Sequence, residues 1–281
     1  MTRAEKASAP KPTRGRRPPM SERIIRAQLL FLLTAFGVAF AQSPAQIVVH
    51  HKMRTAVEQS TYAPYWTTEA GWTTELQLRN NRFDIPVSIT PVLVESSGKE
   101  LRLKTVEVAI DSVSTLALHE LIQISGFAAL SSFGYLRFEY KAASSANVYA
   151  SVLVHRSGQP ITFHLDALPI DGSFTSGSRE TLWWLPFAST TGTIILVNTD
   201  SKPTTVSIEL STPGGSSFLE NIELGKGAFQ RVSINELVRK HGIQHQYGGI
   251  TVKSSGPLGA LQLASFSWDE SHGICCLAEG L

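Results

Sequence analysis

Alternating polar and apolar residues run through most of the chain after about residue 60. In residues 74–79 the apolar Leu76 and Leu78 alternate with polar neighbours, which is the period of a half-buried strand. Val and Ala repeat that period in residues 148–154, and turn sequences such as Ser-Ser-Gly-Lys at 96–99 separate such runs. The pattern predicts about six or seven short antiparallel strands in roughly 100 residues, as in a β-sandwich.

The strand pattern occurs twice in the sequence. The matched positions are Trp66 and Trp184, Asn80 and Asn198, residues 87–89 and 206–208 after one inserted residue, 118–122 and 234–238, and 134–138 and 248–252. Apolar residues keep the same phase in both copies, as a shared core pattern requires. The sequence therefore predicts an all-β chain of two tandem modules, at residues 60–170 and 179–281, joined by a linker at 171–178.

Each predicted module contains one short helical turn. Ser233 followed by Glu236 fits a capping box, so a turn of helix is expected from Glu236 to Arg239. Residues 120–122 occupy the same place in the first module, and Gly follows in both. We interpret this turn as a crossover between the two sheets of a sandwich.

The first 41 residues are expected to be a signal peptide and not part of the fold. An apolar run at 29–40 follows Arg23 and Arg26 and ends in a small-x-small site at residues 39–41. Translation from Met20 would give a signal peptide of ordinary proportions without the long basic segment before it. Residues 42–59 are expected to be a mobile N-terminal segment. The predicted location is the periplasm, the cell surface or the medium, with membrane contact only during export.

Removing this segment changes the charge of the chain. The whole sequence has 25 Lys and Arg against 23 Asp and Glu; residues 1–41 hold eight and two of these, which leaves 17 against 21. The basic character therefore belongs to targeting, and a mildly acidic remainder gives no support for nucleic-acid binding.

The order of these elements resembles a known architecture. A strand ending in Leu-x-Asn at 78–80, a Gly turn, and a Glu-Leu turn at 120–121 before a Gly-led strand resemble the immunoglobulin-like or fibronectin-III-like modules of exported bacterial proteins. The resemblance covers residues 60–281 and implies an antiparallel sandwich. The chain departs from true immunoglobulin domains because it has no Cys pair between sheets. Such modules serve many roles, so the resemblance implies no particular function.

Sequence motifs of catalysis are lacking. There is no Gly-x-Ser-x-Gly, no phosphate-binding loop and no His-Glu-x-x-His. His241 and His245 have the spacing of metal ligands on one helix face, but Gly242 lies between them. The sequence therefore predicts a protein that is not an enzyme and holds no cofactor or metal, with a metal-dependent hydrolase as an open alternative.

Two groups of residues are candidate contact sites. Exposed indole rings can stack on sugars; three Trp residues without a repeat partner are the candidates, namely Trp72, Trp183 and Trp268. Cys275 and Cys276 are adjacent, so they cannot staple distant strands but could undergo oxidation or contact another chain.

The leading hypothesis is a non-catalytic exported protein that acts through surface contacts, in an interaction, adhesion or structural role at the cell envelope. Its partner would be another envelope or extracellular protein, or a polysaccharide. The alternative is a carbohydrate-binding protein that uses exposed Trp. An open sheet edge that pairs with a partner strand is also consistent with the predicted fold.

Overall fold

The structure is a computed structural model that describes residues 55–170 and 178–279. The predicted signal peptide, the alternative start at Met20, the segment up to residue 54 and almost all of the predicted linker lie outside the described residues. We refer to residues 55–170 as the first copy and to residues 178–279 as the second copy. Both belong to one compact unit, residues 53–281.

The first copy has ten strands and one helix. They are β1 (Val57–Thr67), β2 (Trp72–Asn80), β3 (Val87–Glu95), β4 (Glu100–Arg102), β5 (Val106–Val108), β6 (Val113–Ala117), α1 (Leu118–Ile124), β7 (Phe133–Ala142), β8 (Val148–Arg156), β9 (Thr162–Asp166) and β10 (Leu168–Pro169). Strand β1 begins at Val57, so residues 57–59, which the sequence assigns to the N-terminal segment, pair with β7.

The second copy repeats this succession with eight strands and one helix. They are β11 (Ser178–Trp184), β12 (Thr191–Asn198), β13 (Thr204–Ser211), β14 (Ser217–Leu224), β15 (Phe229–Ser233), α2 (Ile234–Lys240), β16 (Tyr247–Ser254), β17 (Leu261–Asp269) and β18 (Ile274–Glu279).

Each copy builds two antiparallel sheets with matching strand orders. In the first copy the orders are β10-β1-β7-β3, with β4 and β5 both on β3, and β6-β2-β8-β9; in the second they are β11-β16-β13-β14 and β15-β12-β17-β18. All pairings among the described strands are antiparallel, which confirms the expected all-β, antiparallel class. In β13 buried and half-buried residues alternate along the strand, as the sequence pattern predicts.

The two helices are longer than the predicted turns but lie where the repeat places them. Leu118 and Leu121 of α1 are buried, as are Ile234 and Leu237 of α2. The Ser233 hydroxyl accepts a hydrogen bond from the backbone N–H of Glu236 at 3.2 Å, so one half of the predicted capping box is present. In α1 the equivalent position is Ala117, which offers no side-chain cap.

The structure corrects the alignment of the repeat at its first tryptophan. Trp66 lies opposite Gly134 on β7, and Trp183, not Trp184, lies opposite Gly248 on β16. A Cβ on Gly134 would lie 1.9 Å from the carbonyl oxygen of Val94, and one on Gly248 would lie 2.0 Å from that of Ser211. Glycine is therefore required at both places, and the buried Trp rings pack beside it.

A second correction concerns the loop after the buried Asn. Strand β3 begins at Val87 and β13 at Thr204, so this loop is one residue shorter in the second copy and contains no insertion. Leu93 pairs with Leu136 and Leu210 pairs with Ile250, which makes Leu210 the counterpart of Leu93. The predicted match of residues 87–89 with 206–208 is therefore wrong by two residues. A shift of two keeps buried positions matched with buried positions, so the error is not visible in the sequence pattern.

A buried Asn closes the same end of both copies. Asn80 Nδ2 donates to the carbonyl oxygens of Ile85, Val108 and Ala109 at 3.0–3.2 Å, while its Oδ1 accepts from the backbone N–H of Arg82. In the second copy, Asn198 Nδ2 donates to three carbonyl oxygens at 2.8–3.5 Å and its Oδ1 accepts from Asp200; the three are those of Lys202, Leu224 and Gly225. One side chain thus fixes two loops to the end of a strand.

The second copy buries both faces of one sheet. Ile194 and Leu196 of β12 face the core of their own copy, whereas Ile195 and Val197 belong to the core of the first copy. Phe229, Ala264 and Phe266 lie with them in the first core. The outer face of this sheet is therefore covered by the first copy, whose core includes residues of both copies, while the second copy keeps a separate core of its own.

We predict that Asn198→Ala lowers the free energy of unfolding by about 2 kcal/mol, because buried carbonyl groups lose their donor. Urea unfolding followed by Trp fluorescence measures this. Asn221→Ala, the same change on the exposed face of β14, is the control and should stay within about 0.5 kcal/mol of the unchanged protein. Equal effects of the two substitutions would contradict the role assigned to the buried Asn.

Candidate functional site

Aromatic rings join the two copies. The Phe163 ring of β9 stacks on Phe266 of β17 with centroids 4.9 Å apart, and Trp72 meets Trp268 edge-on at 5.8 Å. Tyr65 lies 5.2 Å from Phe266 in the same cluster. We call this group the aromatic junction. Its members bury large apolar areas and favour tilted and offset contacts, which fix the relative position of the two copies.

An arginine ties the edge of the junction together. Arg231 Nη2 donates to the Tyr65 hydroxyl at 2.7 Å and to Glu69 Oε2 at 3.2 Å, and its guanidinium lies 3.9 Å from the centre of the Phe133 ring. Burial raises the pKa of Tyr65 to about 12, so the phenol remains a neutral acceptor for the guanidinium. This arrangement holds β15 of the second copy against β1 and β7 of the first.

The junction accounts for two of the three predicted surface indoles. Trp72 is stacked on Phe163 with centroids 5.8 Å apart, and the Arg156 guanidinium lies 5.2 Å from its ring centre. Trp268 packs on both Trp72 and Phe163. The structure therefore brings Trp72 and Trp268 together, but as half-buried packing partners and not as free rings for sugar stacking.

Trp183 is not at the surface. Its side chain is 1% exposed and belongs to the core of the second copy, where it is the counterpart of Trp66. This corrects the prediction of a surface ring at Trp183. The sequence alignment pairs Trp66 with Trp184, one residue away from the true counterpart, and so leaves Trp183 without a partner.

A pocket opens beside Trp72 in the first copy. Its volume is about 160 Å³, and it lies between β2, α1 and the loop that follows α1. The lining residues are Thr68, Trp72, Thr73, Thr74, His119, Ile122, Gln123, Ala129 and Leu130. We call it the Trp72 pocket. Among these residues there is no Asp, Glu, Lys or Arg, so hydroxyl, amide and imidazole groups and apolar surface line the pocket.

The corresponding place in the second copy is occupied by the side chains of Leu185 and Asn235. Leu185 occupies the position that Thr68 has in the first copy. The Leu185 N–H donates to the carbonyl oxygen of Gln246, and the Thr68 N–H donates to that of Ser132. A Cβ on Gly192 would lie 2.8 Å from Leu185 Cδ2, so the leucine lies directly on that strand.

Asn235 completes the closure in the second copy. It occupies the helix position of His119, accepts from the Gly192 N–H at 2.7 Å and donates to the Thr190 carbonyl oxygen at 2.8 Å. His119, by contrast, is exposed and makes no side-chain hydrogen bond within the described part of the chain.

The two copies also differ at one sheet edge. In the first copy this edge is divided into β4 and β5, and the Lys104 N–H between them donates to the Ser125 hydroxyl at 2.7 Å. In the second copy the same edge is β14, eight residues in unbroken register with β13. Among the described strands, β14 pairs with β13 alone. The second copy therefore presents a continuous strand edge.

A buried carboxylate organises the turn between β17 and β18. Asp269 is fully buried; one oxygen accepts from the Ser189 and Thr190 hydroxyls at 2.6 and 3.2 Å, and the other from the hydroxyl and N–H of Ser271 and from His272. These donors, Ser189 first and then Ser271, lower the pKa of Asp269 well below its usual range. His272 stacks on Phe187 at 3.8 Å. Ser271 and Asp269 both contact Nδ1 of His272, which is not the order of a catalytic triad.

The remaining predicted residues lie apart from the pocket. Cys275 is in β18, opposite Trp268, with its thiol 3.7 Å from the Thr162 carbonyl oxygen of the first copy. Cys276 is also in β18, but its side chain lies outside the described part. His241 Nε2 is 3.8 Å from Glu220 Oε2. Within residues 55–170 and 178–279 no three His, Cys, Asp or Glu side chains are grouped as metal ligands would be.

Comparison with models of known protein families and with curated proteins finds no match for this sequence. The helices within the described ranges are all too short or too polar to span a bilayer.

We predict that ionised Asp269 stabilises the folded protein and that this stabilisation is lost at acid pH. Its carboxylate has a lower pKa in the folded state than the usual Asp value of about 3.9, so its stabilising contribution is present above that pH and is lost as the pH falls below it. Asp269→Asn removes this dependence. The difference in thermal unfolding midpoint between the two proteins should therefore be largest near neutral pH and shrink below about pH 4. A difference that stayed constant down to about pH 2 would contradict this assignment.

Proposed function

We propose that the chain is an exported, non-catalytic protein of two tandem immunoglobulin-like β-sandwich modules. It acts by pairing the edge of strand β14 with an extended segment of another envelope or extracellular protein. The apolar run at 29–40 and its small-x-small site support export. The matching strand orders and the two cores support the tandem sandwiches. The observation that carries the proposal is the continuous β14 edge.

The geometry of the hairpin identifies the outward-facing groups. Thr212 and Ser216 form a hydrogen-bonded pair next to the turn, and such pairs alternate along an antiparallel ladder. Residues 219, 221 and 223 of β14 therefore fall in the non-bonded pairs with β13, and their N–H and C=O groups point away from the sheet. An added strand would bond to these groups.

The protection of the first copy strengthens this argument. Sheet edges in stable proteins are usually broken, bulged, charged or covered, because an open edge recruits other strands. The first copy follows that rule with its divided β4–β5 edge and the Ser125 contact. Strand β14 contains no proline, no bulge against β13 and no lysine. A duplicate that keeps one edge closed and the other open is consistent with strand addition as its means of recognition.

The side chains along β14 define the character of the partner. Leu219 is 57% exposed on the outer face, whereas Glu220 is paired with Lys240 on the inner side and Glu223 bonds the Thr205 hydroxyl. The acidic groups are therefore largely satisfied within the chain. We expect a partner segment of alternating character with an apolar residue placed over Leu219.

A proline at the outward position tests the proposal. Asn221→Pro removes one outward N–H without breaking the bonds to β13, because proline is tolerated on the solvent side of an edge strand. We expect a photo-crosslinking residue at Leu219 to form a defined adduct in cells that make the protein, and the adduct to fall by about ten-fold or more in the proline variant, since main-chain bonds provide the affinity of strand addition.

Asn221→Ala is the matched control, because it loses the same side-chain contact with Ser207 but keeps the N–H. Its adduct should match that of the unchanged protein. A crosslinker at Val113, which is equally exposed in the first copy, controls for nonspecific capture. An adduct that survives Asn221→Pro, or that forms equally at Val113, would overturn the proposal.

A further inference from the structure

The Trp72 pocket differs from the filled site of the second copy in ways that bear on ligand binding. Packed cores leave few voids larger than a water molecule, and the second copy obeys this rule through Leu185 and Asn235. The first copy carries the smaller Thr68 in place of Leu185 and His119 in place of Asn235. Its loop after α1, residues 125–132, is two residues longer than residues 241–246, and Ala129 and Leu130 of that loop form the outer wall.

The polar groups at the rim are free to bind. Within the described residues, the side chains of Thr73, His119 and Gln123 make no hydrogen bond, although all three line the pocket. The Thr68 hydroxyl donates to the Ser132 carbonyl oxygen at 3.3 Å and accepts from the Ser132 N–H at 3.2 Å, which leaves it one acceptor lone pair. Three unbonded polar side chains and the remaining lone pair of Thr68 thus surround an apolar floor of Ile122, Leu130 and part of Trp72.

The size and chemistry of the pocket together define the ligand. A cavity of about 150 Å³ holds a six-membered ring, and the Trp72 pocket has about 160 Å³. A purely apolar ring would leave the rim groups without partners, and an anionic ligand would find neither Lys nor Arg among the lining residues. A pyranose ring has an apolar face for the floor and hydroxyl groups at its edge for the rim, and small-ligand sites combine these two features.

We propose that the Trp72 pocket binds a neutral pyranose ring, such as one unit of a glycan. His119 and Gln123 bond its hydroxyl groups, and the ring lies against Ile122 and Leu130 and beside, not stacked upon, the indole of Trp72. This site is in the first copy and is independent of the β14 edge. It retains a carbohydrate-binding role for Trp72 in a different geometry from the surface stacking expected from the sequence.

The test uses the protein labelled with 5-fluorotryptophan and ¹⁹F NMR. The probes are the methyl pyranosides of glucose, galactose, mannose and N-acetylglucosamine. At least one should shift the Trp72 resonance with saturation, and the resonance is assigned with Trp72→Phe. Methyl glucuronide, which carries a carboxylate, and N-acetylphenylalaninamide, which presents a protein-like ring, should produce no saturable shift.

Three variants separate the pocket from the rest of the chain. Thr68→Leu fills the space as Leu185 does and should abolish the shift. His119→Ala removes one rim group and should weaken binding by about three- to ten-fold, whereas His245→Ala, an exposed histidine of the second copy, should have no effect. If Thr68→Leu shifts the other Trp resonances, the substitution has altered the fold, and the test then rests on comparing the pyranoside affinities of His119→Ala and His245→Ala.

The proposal is overturned if none of the four pyranosides gives a saturable shift. It is equally overturned if only N-acetylphenylalaninamide does, which would make this a pocket for a protein side chain, or if His119→Ala and His245→Ala bind alike. Asn221→Pro should reduce the crosslinking at β14 but leave the pyranoside titrations unchanged. The failure of one proposal can therefore be distinguished from the failure of the other.

Discussion

The burial of both faces of one sheet is the constraint on which the rest of this structure depends. Ile195 and Val197 would be exposed on the second copy alone, and the first copy covers them with the aromatic junction. Because about 25 cal/mol of stabilisation accompanies each Å² of apolar surface removed from water, these contacts fix the copies as one body.

Much of the fold could be predicted from the sequence, and the exceptions have physical reasons. Period-2 alternation predicts β2 and β8, and it is clearest in β2, where buried residues alternate with exposed or half-buried ones from Thr73 to Asn80. Strand β12 reads instead as a nearly continuous apolar run, residues 194–197, which is the signature of a strand buried on both sides. The positions of Gln77 and Arg79 in β2 are occupied by Ile195 and Val197 in β12, and this contrast was the available signal for the contact between copies.

The candidate sites were less accessible to sequence reasoning. An indole in a core and an indole at a junction look alike in one sequence, so Trp183 and Trp72 could not be separated. The pocket exists because residue 68 is Thr and not the larger Leu found at the equivalent position 185. This difference is recognised only by comparison with the second copy, where Leu185 fills the space. The β14 edge likewise follows from comparison with the divided edge of the first copy. Duplication supplies an internal reference in which one copy shows the closed form of a feature that the other leaves open.

The polar outer face of β2 has a consequence for assembly. In the contact between copies, the second copy contributes the outer face of β12 and its neighbours, and the first copy contributes one end of its sandwich. Two different surfaces meet, so the contact is head-to-tail. Contacts of this type can link further modules into a chain. Gln77 and Arg79 place amide and charge on the face of the first copy that would receive the next member. The first copy therefore lacks, at these positions, the apolar residues Ile195 and Val197 by which the second copy makes the contact, much as the polar face of a capping repeat does.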